Sequence, residues 1–71
     1  MKKEILSPMP GTVIKLLVAE GESLVEGQDA VVIESMKMEN FIKSPVAGKV
    51  AQVLVAPEEK VAARQVLVRL E

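Results

Sequence analysis

The stretch ESMKMEN, residues 34–40, sets Lys37 between Met36 and Met38, with Glu34 three residues before it and Glu39 two after. An amine is one of the few groups in this chain on which chemistry could be done, because its 71 residues include neither histidine nor cysteine. The commonest general base and the commonest metal ligand are both missing, and so is any thiolate or disulfide. A loop lysine is usually a solvated charge, and methionines near a strand end usually fill gaps in a core. Three features weigh against that reading here: two methionines flank one lysine, the turn lacks ordinary turn residues, and it falls at the joint of a duplicated unit. Together they suggest an amine displayed to another protein inside an adaptable apolar collar.

No other stretch offers chemistry. Glu20, Glu22, Glu26, Glu58 and Glu59 fall in turns, where a carboxylate is ordinarily solvated. The glycines of EGESLVEGQD are six apart and no Gly-Lys-Ser/Thr follows, so this is not a phosphate loop. No metal site and no independent catalysis are expected. Nine basic and ten acidic side chains leave a net charge of −1, scattered along the chain, which gives no footprint for nucleic acid or anionic lipid. The longest apolar runs, such as LLVA and AVVI, are far shorter than the roughly 20 residues that a membrane-spanning helix needs. The opening MKKEILSPMPG has basic residues but no apolar signal region. The expectation is one domain over 1–71, in the cytoplasm, with no membrane insertion.

The elements that must position Lys37 are strands. Twelve valines and four isoleucines dominate the apolar set, and Phe41 is the only aromatic residue. TVIKLLV, AVVIE, NFIK, KVAQVLV and QVLVRL are short and separated by Gly-, Pro- and Ser-containing breaks. None sustains helical spacing over ten residues. Shifting the chain by 37 aligns residues 7–34 with 44–71 without a gap, and 11 of the 28 pairs are identical. About two or three matches would arise by chance. Two copies are too few for a solenoid, so the reading is a closed pair of halves about a pseudo-twofold axis, each giving about four strands to two antiparallel layers. That axis maps Glu34 onto Glu71 and Ile42 onto Ile5, so the first and last strands should pair at the pole opposite Lys37. Val13, Leu17 and Val18 do not share one parity, which suggests a bulge or burial of both faces. Where the first copy has Gly21 and Gly27 the second has Glu58 and Arg64. The second half must therefore turn differently, as a type I turn at Pro57-Glu58-Glu59 would, or bear strain.

Residues 35–41, SMKMENF, are the unrepeated joint and read as a hairpin. A two-residue loop at Met36-Lys37 sets Glu34 opposite Glu39, which is unfavourable for like charges. A three-residue loop pairs Glu34 with Asn40 and Ile33 with Phe41, a better chemical match. Neither loop is the Asn-Gly or Asp-Gly that local preference selects.

With SPMPGTV upstream and EGESLVEGQ between, ESMKMEN resembles the biotinyl domain, or biotin carboxyl carrier, of biotin-dependent carboxylases and decarboxylases, over Ile5 to Leu70. The resemblance implies an all-β fold: a flattened sandwich (barrel-sandwich hybrid) of two four-stranded antiparallel sheets with pseudo-twofold symmetry. It implies a two-residue turn at Met36-Lys37 and biotin covalently attached to Lys37. It also implies that Glu34, Ser35, Met36, Met38 and Glu39 form the surface recognised by partners. Those partners are a biotin protein ligase, a biotin carboxylase and a carboxyltransferase, so the chain is a swinging-arm carrier and not itself an enzyme. Ser35 stands where family members often have Ala, Pro57-Glu58-Glu59 replaces an EGD-like turn, and no inserted thumb loop is visible. A lipoyl-type carrier of acyl or aminomethyl groups, or an unmodified structural or adaptor module, are the alternatives on the same fold. Lipoyl domains usually place Asp before their lysine and Ala or Val after it.

Overall fold

The computed structural model describes residues 3–71; Met1 and Lys2, which begin the basic opening, lie outside them. Eight strands are formed: β1 (Lys3–Leu6), β2 (Gly11–Leu16), β3 (Ser23–Leu24), β4 (Asp29–Ser35), β5 (Met38–Lys43), β6 (Gly48–Val53), β7 (Lys60–Val61) and β8 (Val66–Leu70). They make two antiparallel four-stranded sheets, ordered β1-β8-β6-β3 and β5-β4-β2-β7. Adding 37 to β2, β3 and β4 gives β6, β7 and β8, and subtracting 37 from β5 gives β1. The two sheets are thus one arrangement written twice, the pseudo-twofold sandwich that the repeat implies. No helix occurs among the described residues, and none is long and apolar enough to cross a membrane.

The parity conflict in β2 is resolved by a bulge. Val13 pairs with Ile33 and Lys15 with Val32, so Ile14 is the extra residue. β6 repeats this between Val50 and Gln52, and matching irregularities recur at Asp29/Val31 and Ile5/Leu6. An extra residue lets Val13 and Val18 both face inward from one chain segment. The core they enter is aliphatic, with Ile5, Val13, Ile33, Val50, Leu67 and Val68 essentially sealed from solvent.

The identical polar residues of the two copies shape the turns through which each half bonds the other. Ser7 and Ser44 are the only buried polar side chains among the described residues, and each hydroxyl donates to a carbonyl two residues on, Met9 O at 2.5 Å and Val46 O at 2.6 Å. Glu22 and Glu59 each accept from a backbone N–H three residues earlier, at Ala19 and Ala56. Gln28 and Gln65 do the same for Val25 and Ala62. Each closes its own tight turn with a side-chain oxygen, leaving the turn backbone free to bond across the halves.

The second half does not turn differently. Glu58 (φ 72°) and Arg64 (φ 68°) hold the left-handed conformations of Gly21 (φ 88°) and Gly27 (φ 86°). Glu58 N–H donates to Val13 O as Gly21 N–H donates to Val50 O, and Arg64 N–H donates to Ser7 O as Gly27 N–H donates to Ser44 O. The expectation of a type I turn at Pro57-Glu58-Glu59 is therefore corrected, and the strained alternative is the one adopted. These crossing bonds demand one backbone path in both halves, whichever residue occupies it.

β1 pairs with β8, Lys3 opposite Leu70, just as β5 pairs with β4, Asn40 opposite Ile33. Residues 38–48 carry the chain from the hairpin tip to Gly48, which packs on Leu70 and Glu71. Lys37 and the β1–β8 ends therefore lie at opposite poles of a body measuring 31 × 18 × 17 Å.

Because left-handed backbone costs a non-glycine residue about 1–2 kcal/mol, Glu58→Gly and Arg64→Gly should each raise stability by up to about 1 kcal/mol once the added freedom of the unfolded glycine is deducted. Urea midpoints that fall or stay level in both variants would contradict the strain assignment.

Candidate functional site

The β4–β5 hairpin closes in two residues. Ser35 pairs with Met38 and Glu34 with Glu39, while Ile33 faces Asn40. The pairing of Glu34 with Asn40, preferred on side-chain chemistry alone, is overturned. Asn40 instead donates its side-chain amide to Ile33 O (3.3 Å) and Met38 O (3.2 Å), tying β5 to the tip. Met36 (φ 55°) and Lys37 (φ 64°) both adopt left-handed backbone, the pattern of a type I′ turn. This turn suits the strand twist but favours Asn and Gly, so Met-Lys is held here at a conformational cost.

Packing beneath the tip keeps it tight. A Cβ on Gly11 would come within 2.6 Å of both Glu34 O and Ile33 Cγ2, so only glycine lets β2 approach the end of β4 this closely. The same feature at the far pole, Gly48 beside Glu71 O and Leu70, is looser at 3.2–3.3 Å.

The collar is exposed. Met36 is 93% and Met38 67% accessible, so neither fills the core. Lys37, Glu34 and Glu39 are exposed and Ser35 is half-buried. Among the described residues, no ion pair or side-chain hydrogen bond engages Lys37, and no group of acidic side chains could hold a metal ion. The arrangement is an unencumbered amine at the narrow end of a rigid body, ringed by flexible thioethers.

Three further residues share this pole. Pro10, just before β2, Thr12, from its start, and Lys60, from β7, line an open concavity of about 440 Å³ together with Glu34, Met36 and Lys37. Sequence reasoning did not connect them to the site, because β7 has two residues and no pattern of its own to place it beside β2.

A family of proteins described as biotin-requiring enzymes matches residues 3–70. The chain belongs to that biotin/lipoyl attachment family. It is 39% identical over 64 residues to the biotin carboxyl carrier protein of Streptococcus mutans, an overlap covering 90% of this chain and 49% of that one. It is 47% identical over 49 residues to the mitochondrial methylcrotonoyl-CoA carboxylase subunit alpha of Oryza sativa, over 69% of this chain and 7% of that one. The crystal structure of Kluyveromyces lactis urea carboxylase contains the same fold, with a TM-score of 0.93 at 24% identity, over 100% of this chain and 6% of that one. The chain thus spans half or less of the length of these proteins. It is a carrier domain homologous to biotin carboxyl carriers, a non-catalytic module, and covalent biotin attachment is a property of its family.

Replacing Met36-Lys37 by Asn-Gly should relieve the tip and raise stability by about 1–2 kcal/mol. A lower urea midpoint for this variant would show that the methionine collar stabilises the hairpin after all.

Proposed function

We propose that Lys37 is the biotin attachment point and that the chain serves as the swinging-arm carrier of a biotin-dependent carboxylase or decarboxylase. The observation that carries this reading is the tip itself, a free amine on a two-residue left-handed turn built from Met36 and Lys37 where stability alone would choose Asn-Gly. The partners on this reading are a biotin protein ligase, a biotin carboxylase and a carboxyltransferase. The ligase presents an activated acyl group to the Lys37 amine, and the amide forms as the activating group leaves and the amine gives up a proton. Biotin so attached supplies the position that takes up a carboxyl group at one active site and releases it at the other.

The chain's own contribution is physical. The turn at residues 36–37 projects the amine from a sandwich 31 Å long, so the arm starts clear of its own carrier. Tethering keeps the carried group at high effective concentration between two sites. Met36 and Met38 can repack against each of the different surfaces the carrier meets. Glu34, Ser35 and Glu39 are read as the polar part of the same recognition surface.

A lipoyl carrier is the competing reading, and intact mass separates the two: biotin adds roughly 226 Da and lipoate roughly 188 Da to one lysine. Co-expression with a biotin ligase should give one biotin per chain, mapped by peptide mass to Lys37. Lys37→Ala should abolish labelling with little change in stability, because the side chain is exposed and without a fixed partner. Biotin on Lys43 or Lys49 instead would sink the assignment, and an unmodified Lys37 would favour an adaptor role. Met36→Leu and Met38→Leu should leave the melting temperature unchanged yet slow biotinylation or carboxyl transfer. A large stability loss with normal transfer would contradict their role at partner surfaces.

A further inference from the structure

The strand registers place four polar side chains in one row across the outer face of the β5-β4-β2-β7 sheet. Lys60 pairs with Thr12, Thr12 with Glu34, and Glu34 with Glu39. Directly opposed residues in neighbouring strands project to the same face. The immediate neighbours Val13, Ile33 and Val61 are buried, which fixes this row as outward-facing. At about 4.8 Å per strand the row is roughly 14 Å long. It runs from a cation at one end to two anions at the other, one residue pair below the Met36-Lys37 turn. Lys60, Thr12, Glu34, Met36 and Lys37 all line the 440 Å³ concavity.

The row does not serve the fold. None of Lys60, Glu34 or Glu39 forms a side-chain hydrogen bond or ion pair among the described residues. The direct opposition of Glu34 and Glu39 is unfavourable for the hairpin. Nor is the row a by-product of duplication. At the other pole the positions of Lys60 and Thr12 are taken by Ser23 and Lys49, which pair there as Ser23 opposite Lys49. Glu71 keeps the place of Glu34 at that pole, but there the cation, Lys49, lies directly beside it, so the separation of a cation from the glutamate across an intervening threonine belongs to the Lys37 pole.

Resting on the reading of Lys37 as the acylated residue, we propose that Thr12 and Lys60 extend its recognition surface across the sheet. The occupant of the concavity is a loop of the enzyme that acylates Lys37. That loop presents an acidic side chain to Lys60 and a basic one across Glu34 and Glu39, with Thr12 as the hydrogen-bonding floor between them. Opposite charges at the two ends fix the direction in which the loop lies, and so bring the enzyme's active site over the turn in one orientation. Charges at the edge of such a contact act mainly on association rate and on its salt dependence.

The test is the rate of biotinylation of the full chain by a biotin protein ligase, followed by mass at several salt concentrations. Lys60→Glu should lower kcat/KM about tenfold at low salt, through KM more than kcat, and the deficit should shrink as salt rises. Lys60→Gln should fall in between, with melting temperatures of both variants unchanged. Lys49→Glu, an equal charge change at the opposite pole, should match the wild type. Wild-type rates in both Lys60 variants would overturn the proposal, as would a loss that salt does not diminish or that tracks a fall in melting temperature. If the wild-type chain itself gains no adduct on Lys37, the attachment reading fails first and the extension falls with it.

Discussion

The structure depends on backbone hydrogen bonds that each half makes to the other. Gly21 N–H and Val50 N–H exchange with Val50 O and Glu22 O, and Glu58 N–H and Val13 N–H exchange with Val13 O and Glu59 O. A short chain with a thin, wholly aliphatic core cannot rely on buried area alone. Interlocking turns supply directional contacts that a valine-rich core lacks. The requirement is strict enough that Glu58 and Arg64 accept left-handed backbone to meet it, because changing the path would orphan a bond in the opposite half. The same requirement explains which side chains recur: Ser7/Ser44, Glu22/Glu59 and Gln28/Gln65 set the turns that the crossing bonds need.

Once both halves are locked, the hairpin tip has little freedom to choose its register. β4 is fixed from one side by β2, where Gly11 allows contact with Glu34, and β5 must reach Lys43 and Ser44 in time to bond Gln28 and Gly27. Between Ser35 and Met38 only two residues remain, so Met36 and Lys37 take a type I′ turn despite their side chains. Global closure overrides the pairwise preference of Glu34 for a partner other than Glu39. The result is a strained, exposed element on a rigid base, a combination found where backbone cost is balanced by function.

This division also marks what the sequence makes legible. The duplication, the all-strand character, the pairing of β1 with β8 and the bulges near Val13 and Val50 follow from apolar parity and a 37-residue offset, and all are present. At the tip, side-chain pairing favours a three-residue loop and the family resemblance a two-residue one, and the two-residue turn is present, because local contacts of a few tenths of a kcal/mol yield to a constraint imposed from across the sandwich. The turns at Glu58 and Arg64 were ambiguous for the same reason. β3 and β7, at two residues each, carry no periodicity of their own. Lys60 therefore joins the Lys37 pole only through its register with Thr12, which no local pattern encodes.

The symmetry has a further consequence for how such a module can be used. A carrier must be held at one place and reach from another, and a twofold-related pair of halves provides two equivalent poles from a single folding solution. At one pole β4 and β5 are joined by the Met36-Lys37 turn; at the other their counterparts β8 and β1 lie side by side at Leu70 and Lys3. Chain connected to either of these strands leaves from the pole remote from Lys37, so attachment to a larger assembly does not crowd the amine. Small asymmetries then suffice to make the poles different. Gly11 is tighter than Gly48, Glu58 stands in for glycine near one pole only, and Lys60 and Thr12 replace Ser23 and Lys49 on the outer face. None of these differences removes a crossing hydrogen bond, so the two poles can diverge while the duplicated frame stays intact.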